Sequence, residues 1–137
     1  MPPRPPAARP TLSVRIDLPD GRRFGPGKAS LLRHVAEEGS IAAAGREMGM
    51  SYARAWRLIE AMNRDFPDRL VTRQTGGAGG GGAVLTETGR QVLAAYDAAL
   101  AAASAAAADA AAMIAALAGP AIEAPATAVI PAPEPDS

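Results

Sequence analysis

Arg54, Arg57 and Arg64 recur at spacings of three and seven residues, with Ala61 completing their stripe. At about 100° per residue they share one side of a helix, while Tyr52, Ala55, Ile59, Met62 and Phe66 share the other. Guanidinium groups are always charged and present a planar fork of donors, which suits phosphate oxygens and guanine edges. The small residue between them lets a flat partner approach closely. Arginines on an outward face are equally what a solvated helix surface carries, and Glu60 stands among these, so the stripe alone does not separate the two readings.

Other chemistries find little support. The chain has no cysteine, which excludes disulfides and thiolate-held metals. Its one histidine, His34, has no partner at a useful spacing and is expected to be an ordinary exposed imidazole. No paired carboxylates or nucleophile–base arrangement can be assembled, so an enzyme is not expected. The run Thr75-Gly76-Gly77-Ala78-Gly79-Gly80-Gly81-Gly82 suggests a phosphate cradle, but the Lys-Ser/Thr of a P-loop is absent and a strand pattern follows.

The formal net charge of zero hides an asymmetry. Residues 11–90 carry twelve Arg or Lys against nine Asp or Glu, whereas residues 91–137 carry five acids and no Arg or Lys. A modestly basic body is compatible with phosphate contacts. Hydrophobic residues make up 48% of the chain, much of that alanine, and there are only five aromatic residues, so the core must be small and aliphatic. The start holds no apolar run of the signal-peptide kind, and the alanine tract is interrupted by Ser104 and Asp109. A cytoplasmic protein with no membrane partner is the expectation.

The elements that would position the arginines can be read in order. Residues 1–10, with five prolines, and 119–137 are expected to be disordered tails, leaving residues 11–118 as one domain. Leu12, Val14, Ile16 and Leu18 alternate as in a half-buried strand. Pro19-Asp20-Gly21 turns the chain, Arg22–Phe24 return as a second strand, and Gly25-Pro26-Gly27 ends the hairpin. Residues 28–38 form a helix with Leu31, Leu32, Val35 and Ala36 on its core face, stopped by Gly39. Ser40 caps Ile41–Met48, Gly49 and Met50 turn, and Ser51 caps the arginine helix. Gly45 inside the first of these two helices predicts close backbone packing against the second. Trp56 borders the apolar face and is expected in the core, against the strands. Leu70–Gln74 and Ala83–Thr86 form a ribbon with the glycine run at its tip. Its tip amides could reach phosphates or enter a minor groove. Thr86 caps a last helix, about residues 87–117, with Val92, Leu93, Tyr96 and Leu100 buried. An alanine-rich helix buries little area by itself, and packing on an identical partner, with Met113, Ile114 and Leu117 as larger contacts, makes it a dimerisation helix. The fold class is mainly α with small β (α+β): a winged helix-turn-helix with an N-terminal β-hairpin and a long C-terminal helix.

Ser51-Tyr52-Ala53-Arg54-Ala55-Trp56, Met62-Asn63 and above all Thr75 to Thr86 resemble the N-terminal domain of ModE, the bacterial molybdate-responsive regulators. More distantly they are similar to the winged helix of LysR-type regulators. The resemblance covers about residues 12–117. It implies a homodimeric transcriptional regulator on a palindromic operator in double-stranded DNA, with Ser51, Tyr52, Arg54 and Arg57 as base-reading candidates. Arg64 joins them from the stripe, and Arg73, Thr75, Gly76, Gly77, Gly79 and Gly80 belong to the wing. The family's full-length members continue into paired domains that hold molybdate. This sequence ends in a proline-rich stretch, so no cofactor is expected, molybdate included. The alternative function is a protein-interaction module that pairs with a partner regulator through the alanine helix and tails.

Overall fold

The computed structural model describes residues 9–74 and 82–120. The chain runs β1 (Ile16–Asp17), β2 (Arg23–Phe24), α1 (Pro26–Glu38), α2 (Ile41–Glu47), α3 (Tyr52–Arg64), β3 (Val71–Gln74), β4 (Gly82–Leu85) and α4 (Glu87–Ala118). This is the expected α+β winged helix, with helix starts set by local chemistry. Ser40 Oγ accepts from Ala43 N, Ser51 Oγ from Arg54 N, and Thr86 Oγ1 from Gly89 N, each satisfying an otherwise orphaned donor. Of the tails expected over residues 1–10 and 119–137 and the glycine run 75–82, residues 1–8, 121–137 and 75–81 lie outside the described residues, and Gly82 belongs to β4.

The core gathers Leu31, Leu32 and Val35 of α1, Ala44 of α2, Ile59 and Met62 of α3, Leu70, the wing residues Val71, Ala83 and Leu85, and Tyr96 of α4. Gly45 packs α2 onto α3 as expected: a Cβ there would lie 3.1 Å from Ala55 Cβ and 3.3 Å from the Met50 carbonyl oxygen. Gly89 does the same for α4, since a Cβ would overlap the Leu70 carbonyl. That carbonyl accepts from Thr86 N at 2.9 Å, so α4 starts directly against the chain entering β3. At the other end of the core, Tyr96 stacks edge-on against Phe24 with ring centroids 5.4 Å apart. Its hydroxyl donates to the Val14 carbonyl at 2.8 Å.

Several expectations need correction. The N-terminal ribbon pairs only Ile16 with Phe24 and Asp17 with Arg23. So short a ladder offers no sheet face to bury, and Leu12 and Ile16 are each 37% exposed instead of half-buried. The arginine helix ends at Arg64, and Phe66 packs half-buried on the core from the following turn. Ala36 is exposed, on an open cleft with Val84 and Arg90. His34 is half-buried, not exposed, and its Nδ1 has no partner among the described residues. The cause is crowding, because α1 packs against α2, α3, α4 and β4. Helix α4 is long and apolar enough, by length and composition, to cross a membrane, with alanine supplying most of that apolarity.

Candidate nucleic-acid interface

Helix α3 is held on one side and open on the other. Ala55, Ile59, Met62 and Asn63 are buried, whereas Ser51, Tyr52, Arg54, Arg57 and Arg64 are exposed. The buried side is fixed by more than apolar contact. Asn63 Oδ1 accepts from Leu70 N at 2.8 Å and Val71 N at 3.1 Å, and its Nδ2 donates to the Val71 carbonyl at 3.3 Å. One side chain thus ties the end of α3 to the start of β3 and satisfies backbone groups that would otherwise be buried without partners. Asp65 reinforces this end: Arg22 donates to its carbonyl at 2.7 Å, and Lys28 pairs with its carboxylate at 3.3 Å.

Among the described residues, no ion pair includes Arg54, Arg57, Arg64 or Arg73. Glu60, the acid among the arginines, is engaged by Arg69 at 2.6 Å. The outward face of α3 therefore carries cations without internal counter-ions. Strand β3 pairs with β4 in antiparallel register from Val71–Leu85 to Gln74–Gly82, and Ala83 N donates to the Gly39 carbonyl at 2.9 Å. This anchors the wing beside α1 and places exposed Arg73 against the start of α3. Of the site candidates, Tyr52, Arg57 and Arg73 line one cleft, while Ser51, Arg54 and Arg64 are exposed on or beside α3. Thr75, Gly76, Gly77, Gly79 and Gly80 lie outside the described residues.

Two aromatic side chains sit where the sequence reading did not put them. Tyr52, assigned to the apolar side, is 52% exposed, and Trp56, expected in the core, is 41% exposed. Trp56 lines a small cavity with Val71 and Thr72 of β3. With Tyr52, Ala53, Arg57 and Arg73 it lines an open cleft of about 430 Å³ between α3 and the wing. The spacing of four between Tyr52 and Trp56 was the available signal. Both lie at the margin of the apolar side, and at the first turns of α3 no core remains to cover them.

A family model of bacterial regulatory helix-turn-helix proteins of the lysR family matches residues 28–90. The transcriptional dual regulator ModE of Escherichia coli K12 is 47% identical over 72 residues, 53% of this chain and 28% of that protein. The chain is thus similar, over about half of its length, to the helix-turn-helix part of ModE-type regulators. The molybdenum-pterin-binding protein MopB of Rhodobacter capsulatus is 46% identical over 78 residues, covering 57% of this chain and 29% of MopB. The molybdenum transport protein ModE of Azotobacter vinelandii is 38% identical over 85 residues, covering 62% and 32%. The chain thus spans less than a third of the length of these ModE and Mop relatives. The segment matched by the lysR-family model contains α1 from Lys28 on, α2, α3 and both wing strands, and with them every described site candidate.

Proposed function

We propose that this protein is a DNA-binding transcriptional regulator of the ModE type that works in the bacterial cytoplasm as a homodimer on a palindromic operator. Residues 11–118 act as the DNA-binding unit, with α3 in the major groove. Ser51, Tyr52, Arg54 and Arg57 lie toward base edges, Arg64 and Arg73 lie toward phosphates, and the glycine tip of the wing follows the backbone. The observation that carries this reading is the arginine stripe: it lies outside the fold, unpaired among the described residues, on a helix whose other face is locked in place. Unneutralised cations on a rigid convex element are what a polyanion replaces its counter-ions with. The relatives' names make genes for molybdenum uptake the first targets to examine.

Dimerisation is proposed through α4. Its Ala103, Ala107 and Ala111 are half-buried at spacings of four, and beyond them Met113, Ile114 and Leu117 stand 66%, 68% and 81% exposed. Large apolar side chains in a row on a helix end ask for a partner surface.

The test is binding to duplexes selected from a random pool, measured by anisotropy across a salt series. The expected result is a negative slope of log K against log salt, near 0.9 per phosphate contacted, and a symmetric selected site. Absence of any duplex binding at micromolar protein would refute the reading and favour a protein-interaction role.

A further inference from the structure

The cleft between α3 and the wing has a composition that phosphate contact does not explain. Its lining combines the indole of Trp56, the ring of Tyr52 and the small Ala53 with the guanidinium groups of Arg57 and Arg73. A tryptophan offers more apolar area than most side chains, and leaving 41% of it exposed forgoes burial unless something covers it. The nearby acid Glu60 is occupied by Arg69 and does not oppose an anionic occupant. The cleft lies at the N-terminal turns of α3, the part of a recognition helix that comes nearest to base edges. An occupant that suits this lining presents an apolar group with negative charge nearby. In duplex DNA the thymine C5-methyl is the alkyl group on the major-groove edge of the bases, and phosphates run along both rims of that groove.

We propose that Trp56, with Tyr52, forms an apolar slot that receives a thymine methyl group in each half-site, making Trp56 a specificity-determining residue beside the arginine contacts. This rests on the DNA-binding reading above and adds to it a base identity. The slot discriminates by desolvation: the methyl group packs against the indole and displaces water from it, while cytosine or uracil at the same position leaves that surface hydrated.

The test uses the full chain and its selected duplex, replacing each thymine in turn with deoxyuridine, which removes only the methyl group. The expected result is one position per half-site at which the replacement weakens binding roughly threefold to fivefold, the scale of one buried methyl-sized group. That penalty should vanish in Trp56→Ala and persist in part in Trp56→Phe, which also serves if the alanine variant folds poorly. Trp56 is the chain's single tryptophan, so its emission should shift when the thymine duplex binds and shift less with the deoxyuridine duplex. A flat deoxyuridine scan, or an unchanged penalty in Trp56→Ala, overturns the slot while leaving DNA binding intact. Tighter binding to the single strand than to the duplex also overturns it, since the aromatic pair would then be stacking on bases. Failure to bind any duplex would remove the DNA-binding reading together with this one.

Discussion

Helices α3 and α4 are both surface helices of this domain, yet they are specified in different ways. Every turn of α3 has a defined inner side. Ala55 meets Gly45, Ile59 and Met62 enter the core, and Asn63 holds the backbone leading into β3. Helix α4 is defined in this way only near its start, where Gly89 lies against Leu70 and Tyr96 against Phe24. Beyond Leu100 it continues on helix propensity, with alanine buried no more than halfway. A helix locked on one face can hold charges on the other in fixed register. A helix with no locked face beyond its first turns is free to take its second side from another molecule.

The sharpest way to break the contrast is to cut α3 from inside. Ile59→Ala should destabilise the fold by roughly 2–5 kcal/mol in chemical denaturation. Asn63→Ala should cost about 1–3 kcal/mol for each backbone donor left unpaired, read by the same method. The outer face should behave oppositely: Arg57→Ala should leave stability within about 0.5 kcal/mol and weaken duplex binding by at least about fivefold, the lower end of one good base contact. Equal losses of stability for Ile59→Ala and Arg57→Ala would dissolve the distinction between the two faces.

For α4 the expected effects are smaller and lie in assembly. Ile114→Glu combined with Leu117→Glu should leave the unfolding free energy of the monomer within about 0.5 kcal/mol, as for exposed sites. In sedimentation the same pair should shift the proposed dimer toward monomer, and an unchanged mass distribution would remove α4 from the proposed interface. The smallest effect belongs to its first turn. The side-chain hydrogen bond from Arg90, then its charge, holds the Glu87 carboxyl below its ordinary 4.5. A folded value below the unfolded one means the contribution is present above pH 4.5 and fades as pH falls through the folded value. Glu87→Gln should therefore slightly lower the melting temperature at neutral pH and reduce the loss seen on acidification. The group is fully exposed, so solvent and salt keep the effect small.

Much of this was legible because the decisive signals are local. Ser40, Ser51 and Thr86 announce their helices through caps, and the hydroxyl oxygen of each accepts a backbone N–H bond as expected. The alternating apolar side of α3 was readable from Ala55, Ile59 and Met62, and Gly45 from its place in the middle of a helix. Errors arose where a residue's environment depends on how far the core extends. Trp56 and Tyr52 follow the apolar period but lie past its edge, and Leu12 and Ile16 alternate without a sheet to bury them. Asn63 enters the sequence reading only through the family resemblance, and nothing local to Gly89 signals its role. Their roles are contacts across seven or more residues of sequence, with Leu70 in both cases.

The sequence by itself determined where the helices start, which side of α3 is apolar, and that an arginine stripe opposes it, because capping and helical period act within a few residues. Only the tertiary structure decided that those arginines lack internal counter-ions among the described residues, that Arg69 takes Glu60 away from them, and that Trp56 remains half open beside the wing. Those outcomes depend on which distant segments meet, and pairing and burial are properties of that meeting.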